Sequence, residues 1–187
     1  ITTFGPSQAN PNFADLLAMR SDGTVIWRAP AAPGFVPDRY AAPSIAPSGR
    51  VVYSAGNGIV TLLAPNGAVL VQSLPGMQND QSPAAIAPDG SFCYGSSAWQ
   101  INGFDPSGNQ GWSIETVGEI YASPALAADG TFVVADAAPS FQGYNPELFA
   151  VQPNGTLKWR VTLPGPGTSA IIDAEGRIYL GWSVGTP

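Results

Sequence analysis

Two turn patterns alternate along this 187-residue chain at one shared spacing, and that regularity constrains the fold more than any other feature. The first pattern runs Leu16-Leu-Ala-Met-Arg-Ser-Asp-Gly-Thr-Val-Ile-Trp27 and returns as Thr61–Val71, Ile101–Trp112 and Leu148–Trp159. Its turn glycines are Gly23, Gly67, Gly108 and Gly155, and four residues after them stand Trp27, Val71, Trp112 and Trp159. The second pattern comprises Pro43–Tyr53, Ala84–Tyr94, Pro124–Val134 and Ala170–Leu180, with Gly49, Gly90, Gly130 and Gly176 at its turns. Each unit is a short apolar run, a turn closing on Gly, and a second run rich in Val, Ile, Phe, Tyr or Trp, which predicts a β-hairpin. Pro, Ala or Ser followed by Asp, Asn, Ser or Glu suits a type I turn, and Gly takes the left-handed position that realigns the strands. Two hairpins per period of about 42 residues make four strands, the size of one propeller blade. Stacked blades bury both sheet faces, which explains non-alternating runs such as Phe132-Val-Val134.

The sequence therefore predicts an all-β chain, a β-propeller of four-stranded antiparallel blades with about four repeats, forming one domain or propeller segment over 1–187. The repeats fall at about 16–58, 59–98, 99–147 and 148–187, and 1–15 ends a preceding repeat. A sandwich of turn-rich strands has no need of a tryptophan returning at a fixed offset. Composition narrows the function. There are 7 basic and 13 acidic residues, net charge −6, so clustered cations for nucleic acid or anionic lipid are lacking. No apolar run is long enough for a membrane span. The chain has no histidine, the commonest general base and metal ligand. Its one cysteine, Cys93, sits between Phe92 and Tyr94 and reads as a small buried hydrophobe.

The run Ala18-x-x-x-Asp22-Gly23-x-x-x-Trp27 resembles the tryptophan-docking motif of PQQ-like, quinoprotein-type β-propeller repeats, as do Ala150…Gly155…Trp159 and Asp105…Gly108…Trp112. The resemblance covers the chain at repeat level. It implies that Trp27, Trp112 and Trp159 lie on outer strands and dock between blades, with Val71 marking a weaker contact. It also implies seven or eight blades, so that this chain would be part of a larger propeller; a self-contained four-bladed ring is the alternative. On the family's strand order, Ala41–Pro47 and its equivalents are innermost, Val25–Arg28 and its equivalents outermost, and a stray strand lies near Ile1–Gly5.

Variable connections on a rigid scaffold are where binding concentrates. The long ones, about Ala29–Tyr40, Leu74–Gln81, Thr116–Tyr121, Pro164–Thr168 and Asp136–Glu147, share one face. They carry Asp38, Arg39, Tyr40, Asp80, Glu119, Tyr121, Phe141 and Tyr144 as candidate binding residues, which would otherwise be rim or loop-packing groups. The acidic pairs Asp136 with Glu147 and Asp173 with Glu175 could serve acid–base chemistry or calcium. No Asp-x-Asp-x-Asp-Gly loop occurs, and Gly-x-x-x-Trp is not the Gly-x-x-Trp of a sialidase box. The function expected is a non-enzymatic scaffold for protein binding or assembly, without catalytic residues, metal or cofactor. Its partner would be a protein or further propeller blades. One alternative is a carbohydrate-binding propeller, with Tyr40, Tyr121 or Tyr144 stacking on a glycan. The other is a fragment of a PQQ-dependent dehydrogenase, for which the resemblance implies PQQ and calcium. Low charge and the resemblance suggest an extracellular or periplasmic bacterial protein.

Overall fold

The computed structural model describes residues 6–7, 10–30, 42–54, 59–73, 82–137 and 145–183. No described residue is helical. The strands are β1 (Pro6–Ser7), β2 (Asn10–Met19), β3 (Val25–Pro30), β4 (Ser44–Ile45), β5 (Val51–Ser54), β6 (Val60–Leu63), β7 (Val69–Ser73), β8 (Ala85–Ile86), β9 (Phe92–Ser96), β10 (Gln100–Phe104) and β11 (Gln110–Glu115). They continue with β12 (Ala125–Leu126), β13 (Phe132–Ala135), β14 (Glu147–Val151), β15 (Leu157–Thr162), β16 (Ile171–Ile172) and β17 (Ile178–Tyr179). Three complete blades, β4–β7, β8–β11 and β12–β15, are four-stranded antiparallel sheets with strands in chain order. The sheet β1-β2-β3 precedes them and the hairpin β16-β17 follows. The innermost strands are only two residues long, shorter than the 41–47 span expected, and β4, β8, β12 and β16 lie side by side in that order. The expected strand near Ile1–Gly5 falls outside the described residues; the strand found beside β2 is Pro6–Ser7.

Every hairpin turn uses one mechanism. The eight turn glycines have φ between 80° and 90°. Each donates its N–H to the carbonyl three residues back, as Gly67 does to Ala64 at 2.9 Å. The residue receiving that bond donates in turn across the hairpin, as Ala64 does to Ala68 at 2.8 Å. Glycine is needed there because a Cβ at positive φ meets the backbone.

Four apolar clusters lie between successive sheets. Leu16, Tyr53 and Leu63 join the first sheet to the second, and Val52, Leu62, Phe92 and Phe104 join the second to the third. Ile101, Ile120, Phe132 and Phe149 join the third to the fourth, and Val133, Leu148 and Leu163 pack on the last hairpin. Both faces of a central blade are thus core, which is why β6, β9 and β13 are buried at every described position.

At Trp27 and Trp112 the recurring tryptophan locks the outer strand onto the next blade. Trp27 stands across from Ala18, and Trp112 from Gly103, small partners that let the ring lie over the neighbouring strand. A Cβ on Gly103 would fall 1.8 Å from Trp112. The ring then reaches the following blade: a Cβ on Gly67 would fall 2.6 Å from Trp27, and one on Gly155 2.6 Å from Trp112. Each indole Nε1 donates to the carbonyl two residues before that glycine, Trp27 to Pro65 at 2.9 Å and Trp112 to Pro153 at 2.8 Å. Val71 approaches Gly108 in the same way but has no N–H to give, and the corresponding Pro106 carbonyl accepts from Arg50 Nη1 at 2.9 Å instead. Trp159 departs from the expected burial. It is 39% exposed, because no outer hairpin of a following blade lies against it among the described residues.

Candidate functional site: the long-connection face

At the end opposite the glycine turns, one aspartate fastens three connections through its carboxylate and its backbone. Asp136 is fully buried where β13 ends. Its Oδ1 accepts the Glu147 backbone N–H at 2.8 Å and its Oδ2 accepts that of Val117 at 3.3 Å. Its own N–H donates to the Glu147 carbonyl at 3.0 Å, and its carbonyl accepts from Gly167 at 3.4 Å. A carboxylate buried this deeply requires such donors to hold its charge. Alongside, the Ala137 N–H donates to the Glu119 carbonyl at 2.8 Å. Segment 116–121, segment 163–170 and the two ends of the β13–β14 connection, at Asp136-Ala137 and Pro146-Glu147, are therefore cross-tied.

The 116–121 segment is also tied to the preceding turn. Thr116 N–H donates to the Trp99 carbonyl at 2.9 Å and Ile120 N–H to the Ser96 carbonyl at 3.1 Å. The Ile120 side chain is fully buried against Gly95, where a Cβ would fall 2.0 Å from it. Ile120 acts as a peg, so the residues flanking it stand at the rim. Tyr121 is 45% exposed and Glu119 is partly buried. Trp99 is 41% exposed on the neighbouring turn and has φ +63°. Among the described residues it alone, apart from glycines, has positive φ. Holding a bulky residue there costs about 1–2 kcal/mol. Two aromatic side chains thus project from one end of the molecule on loops fastened to each other.

Of the residues singled out from sequence, Glu119 and Tyr121 lie on this face. Asp38, Arg39, Tyr40, Asp80, Phe141 and Tyr144 lie outside the described residues. Trp99 was missed because, among the connections between second and third strands, the expectation followed only the long Asp136–Glu147 insertion, whereas Trp99 lies in the short equivalent of the preceding blade. The available signal was Ser97-Ala-Trp99, an indole in a connection that elsewhere reads Gly56-Asn-Gly58.

The acidic pairs form no cation site. Both Asp136 oxygens accept backbone N–H groups, and Glu147 faces Arg160 at 3.7 Å. Asp173 and Glu175 share Arg177, at 2.6 and 2.9 Å. Among the described residues no three His, Cys, Asp or Glu side chains gather closely enough to hold a metal. Burial pushes the Cys93 thiol pKa up, which suits a packing residue. On the opposite face the turn carboxylates are satisfied locally. The Thr24 N–H lowers the pKa of Asp22, and the Ser91 hydroxyl lowers that of Asp89. The Asn109 side chain does the same for Asp105, and the Lys158 ammonium, 2.8 Å away, for Asp129. No helix among the described residues is long and apolar enough to cross a membrane.

Stacked four-stranded blades locked by an outer-strand tryptophan define a β-propeller. Over residues 97–183 its repeats are similar to the PQQ-like kind, since the family model described as outer membrane protein assembly factor BamB matches there. No curated protein matches the chain in sequence. Among solved structures, BamB from Moraxella catarrhalis superposes with a TM-score of 0.64 at 13% identity, over 91% of this chain and 55% of that one. Virginiamycin B lyase from Staphylococcus aureus gives 0.68 at 12% identity, over 93% and 57%. Quinohemoprotein alcohol dehydrogenase from Comamonas testosteroni gives 0.55 at 15% identity, over 68% and 21%. The chain spans less than two thirds of the length of each, and the likeness is one of fold, shared by an assembly factor and two enzymes.

Proposed function

We propose that the chain is part of a non-catalytic propeller scaffold that binds a protein partner through its long-connection face. The observation that carries this reading is the pair of exposed aromatics, Trp99 and Tyr121, on loops cross-tied by the buried Asp136 network, with Trp99 held at positive φ. Strain of that kind persists when the surroundings impose it, and it gathers at functional positions. Preordered aromatic side chains bind with little loss of conformational entropy and dominate protein interfaces. The matched family model takes its name from an outer membrane assembly factor, which supports a protein partner and a place outside the cytoplasm. On this reading the chain works without PQQ or calcium, and Glu119 supplies a polar rim to the aromatic pair. The proposal keeps Asp38, Arg39, Tyr40, Asp80, Phe141 and Tyr144 as further binding residues, as expected from the sequence.

The test is affinity for a partner trapped by cross-linking in the native source. Tyr121→Ala and Trp99→Gly should each weaken binding at least tenfold without lowering the melting temperature. Asp22→Ala, Asn66→Ala and Asn154→Ala, on the opposite turns, should leave binding unchanged. Loss of binding from the turn variants and not the aromatic ones would reverse the assignment of the face. A second reading has the same two aromatics stacking on a sugar ring. Glycan-array binding abolished by Tyr121→Ala would favour it.

A further inference from the structure

The seams between successive sheets are not filled alike. At the seams closed by Trp27 and Trp112, the ring covers a small residue of its own sheet, Ala18 or Gly103, and reaches a proline carbonyl and a turn glycine of the next. The seam between them joins the complete blades β4–β7 and β8–β11, and there the same two places hold Leu62 and Val71, paired across β6 and β7. Neither side chain has an N–H to offer the Pro106 carbonyl, and Arg50 Nη1 takes that acceptor at 2.9 Å.

A slot of about 170 Å³ remains at this seam, bounded by Arg50, Val52 and Leu62 of one blade and by Ile86, Pro88 and Pro106 of the other. Leu62 stands five residues before its turn glycine, as Gly103 does, and Pro106 two before, as Pro153 does. The slot therefore borders the counterparts of two groups that the Trp112 indole touches in the next seam. Val52 and Leu62 are buried, and Ile86 packs partly buried beside them. Arg50 is exposed, and among the described residues no carboxylate forms an ion pair with it. The carboxylate on the border, Asp89, is engaged by the Ser91 N–H and hydroxyl at 2.9 and 2.6 Å. An apolar cavity of about 150 Å³ takes up benzene, so this slot has room for one planar ring. A guanidinium at its edge attracts the face of such a ring.

We propose that this slot receives a tryptophan side chain from a partner chain, in place of the indole that the protein itself supplies at the seams on either side. The ring lies among Val52, Leu62 and Ile86 with Arg50 against its face, and its N–H shares the Pro106 carbonyl with Arg50. Tryptophan is the occupant because the seams on both sides already accommodate that ring, each with its N–H on the equivalent proline carbonyl. It is also the residue most enriched where one side chain anchors an interface in a desolvated pocket. The slot opens among the glycine turns, at Pro47, Ser48 and Asp89, and is independent of the aromatic pair on the opposite face.

The test is amide NMR of the unaltered chain titrated with N-acetyl-tryptophanamide, which presents the side chain in peptide form. Shifts should concentrate at 48–52, 62 and 86–90 and saturate in the millimolar range that so few atoms allow. Cyclohexanol, which has no π face, should bind at least ~2-fold more weakly than indole. Arg50→Gln, a change at an exposed side chain, should weaken the amide at least ~2-fold. Leu62→Ala combined with Val71→Trp copies the Ala18 and Trp27 pair, so it should fill the seam from within and abolish binding. Shifts centred elsewhere, or none at about 20 mM amide, would overturn the proposal. So would cyclohexanol binding as tightly as indole, unchanged affinity in Arg50→Gln, or binding that persists in the folded double variant. Binding of indole without the amide would overturn the partner side chain as occupant and make the slot a small-molecule site.

Discussion

Gly103 and Trp112 face each other across β10 and β11, and the indole occupies the space where a Cβ on Gly103 would lie. Truncating Trp112 to Ala removes a partly buried ring from the cluster of Ile101, Ile120, Phe132 and Phe149, together with its bond to the Pro153 carbonyl. With ~120 Å² of ring surface returned to water at ~25 cal/mol/Å², the loss is ~3 kcal/mol. The hydrogen bond adds ~0.5–1 kcal/mol. Gly103→Ala alone should cost ~2–4 kcal/mol, since a Cβ 1.8 Å from the indole forces the ring out of its seat. In the double variant the methyl enters the vacated space, and Ala in a strand interior is better than Gly by ~0.5–1 kcal/mol. The pair should therefore cost no more than Trp112→Ala alone, a coupling of at least ~2 kcal/mol between the two sites. Urea titrations of the four proteins followed by circular dichroism measure this. Additivity within ~0.5 kcal/mol would show that the ring does not lie on Gly103 and would refute the lock geometry.

Other outcomes follow from the same structure. Trp99→Gly relieves a positive φ, so it should raise stability by ~0.5–1 kcal/mol in thermal or urea unfolding; a loss above ~1 kcal/mol would mean that the indole packs as core. Asp22, Asp89, Asp105 and Asp129 all have folded-state pKa values below the unfolded ~3.9. Their contribution is present above about pH 4 and is lost as pH falls through the folded values, so melting temperature should drop below pH ~4. With no histidine in the chain, a stability step between pH 5.5 and 7 would contradict that assignment. Cys93 is fully buried with a raised pKa, so it should react with a thiol reagent only at the rate of global opening; rapid labelling of the folded chain would contradict its place in the core.

The blades were legible because their signals are local and repeated. A glycine at the left-handed turn position, a type I turn before it and β-branched or aromatic runs on both sides specify a hairpin within a dozen residues. A tryptophan four residues beyond the glycine then marks the outer strand. The brevity of the innermost strands was not legible, since Ser44-Ile45 and Ala85-Ile86 pair for two residues inside longer apolar runs. Exposure of Trp159 was hidden for a different reason. Its immediate sequence matches that of Trp112, and its environment is set by whether an outer hairpin of a following blade lies against it. The face carrying the candidate site was readable from loop-length variation, but its organising residue was not. Asp136 looked like half of an acidic pair, and only the backbone path shows it accepting the N–H groups of Val117 and Glu147. Trp99 escaped because its importance lies in a backbone angle, to which the sequence gives no more than a hint.

Amide hydrogen exchange of the chain with and without its bound partner tests the assignment of the binding face most directly. Amides of 96–99 and 116–121, together with those around Asp136 and Glu147, should slow on binding, while those following Asp22, Asn66, Asp105 and Asn154 should keep their free rates. Protection confined to the glycine turns, with Trp99 and Tyr121 exchanging as in the free protein, would contradict the assignment.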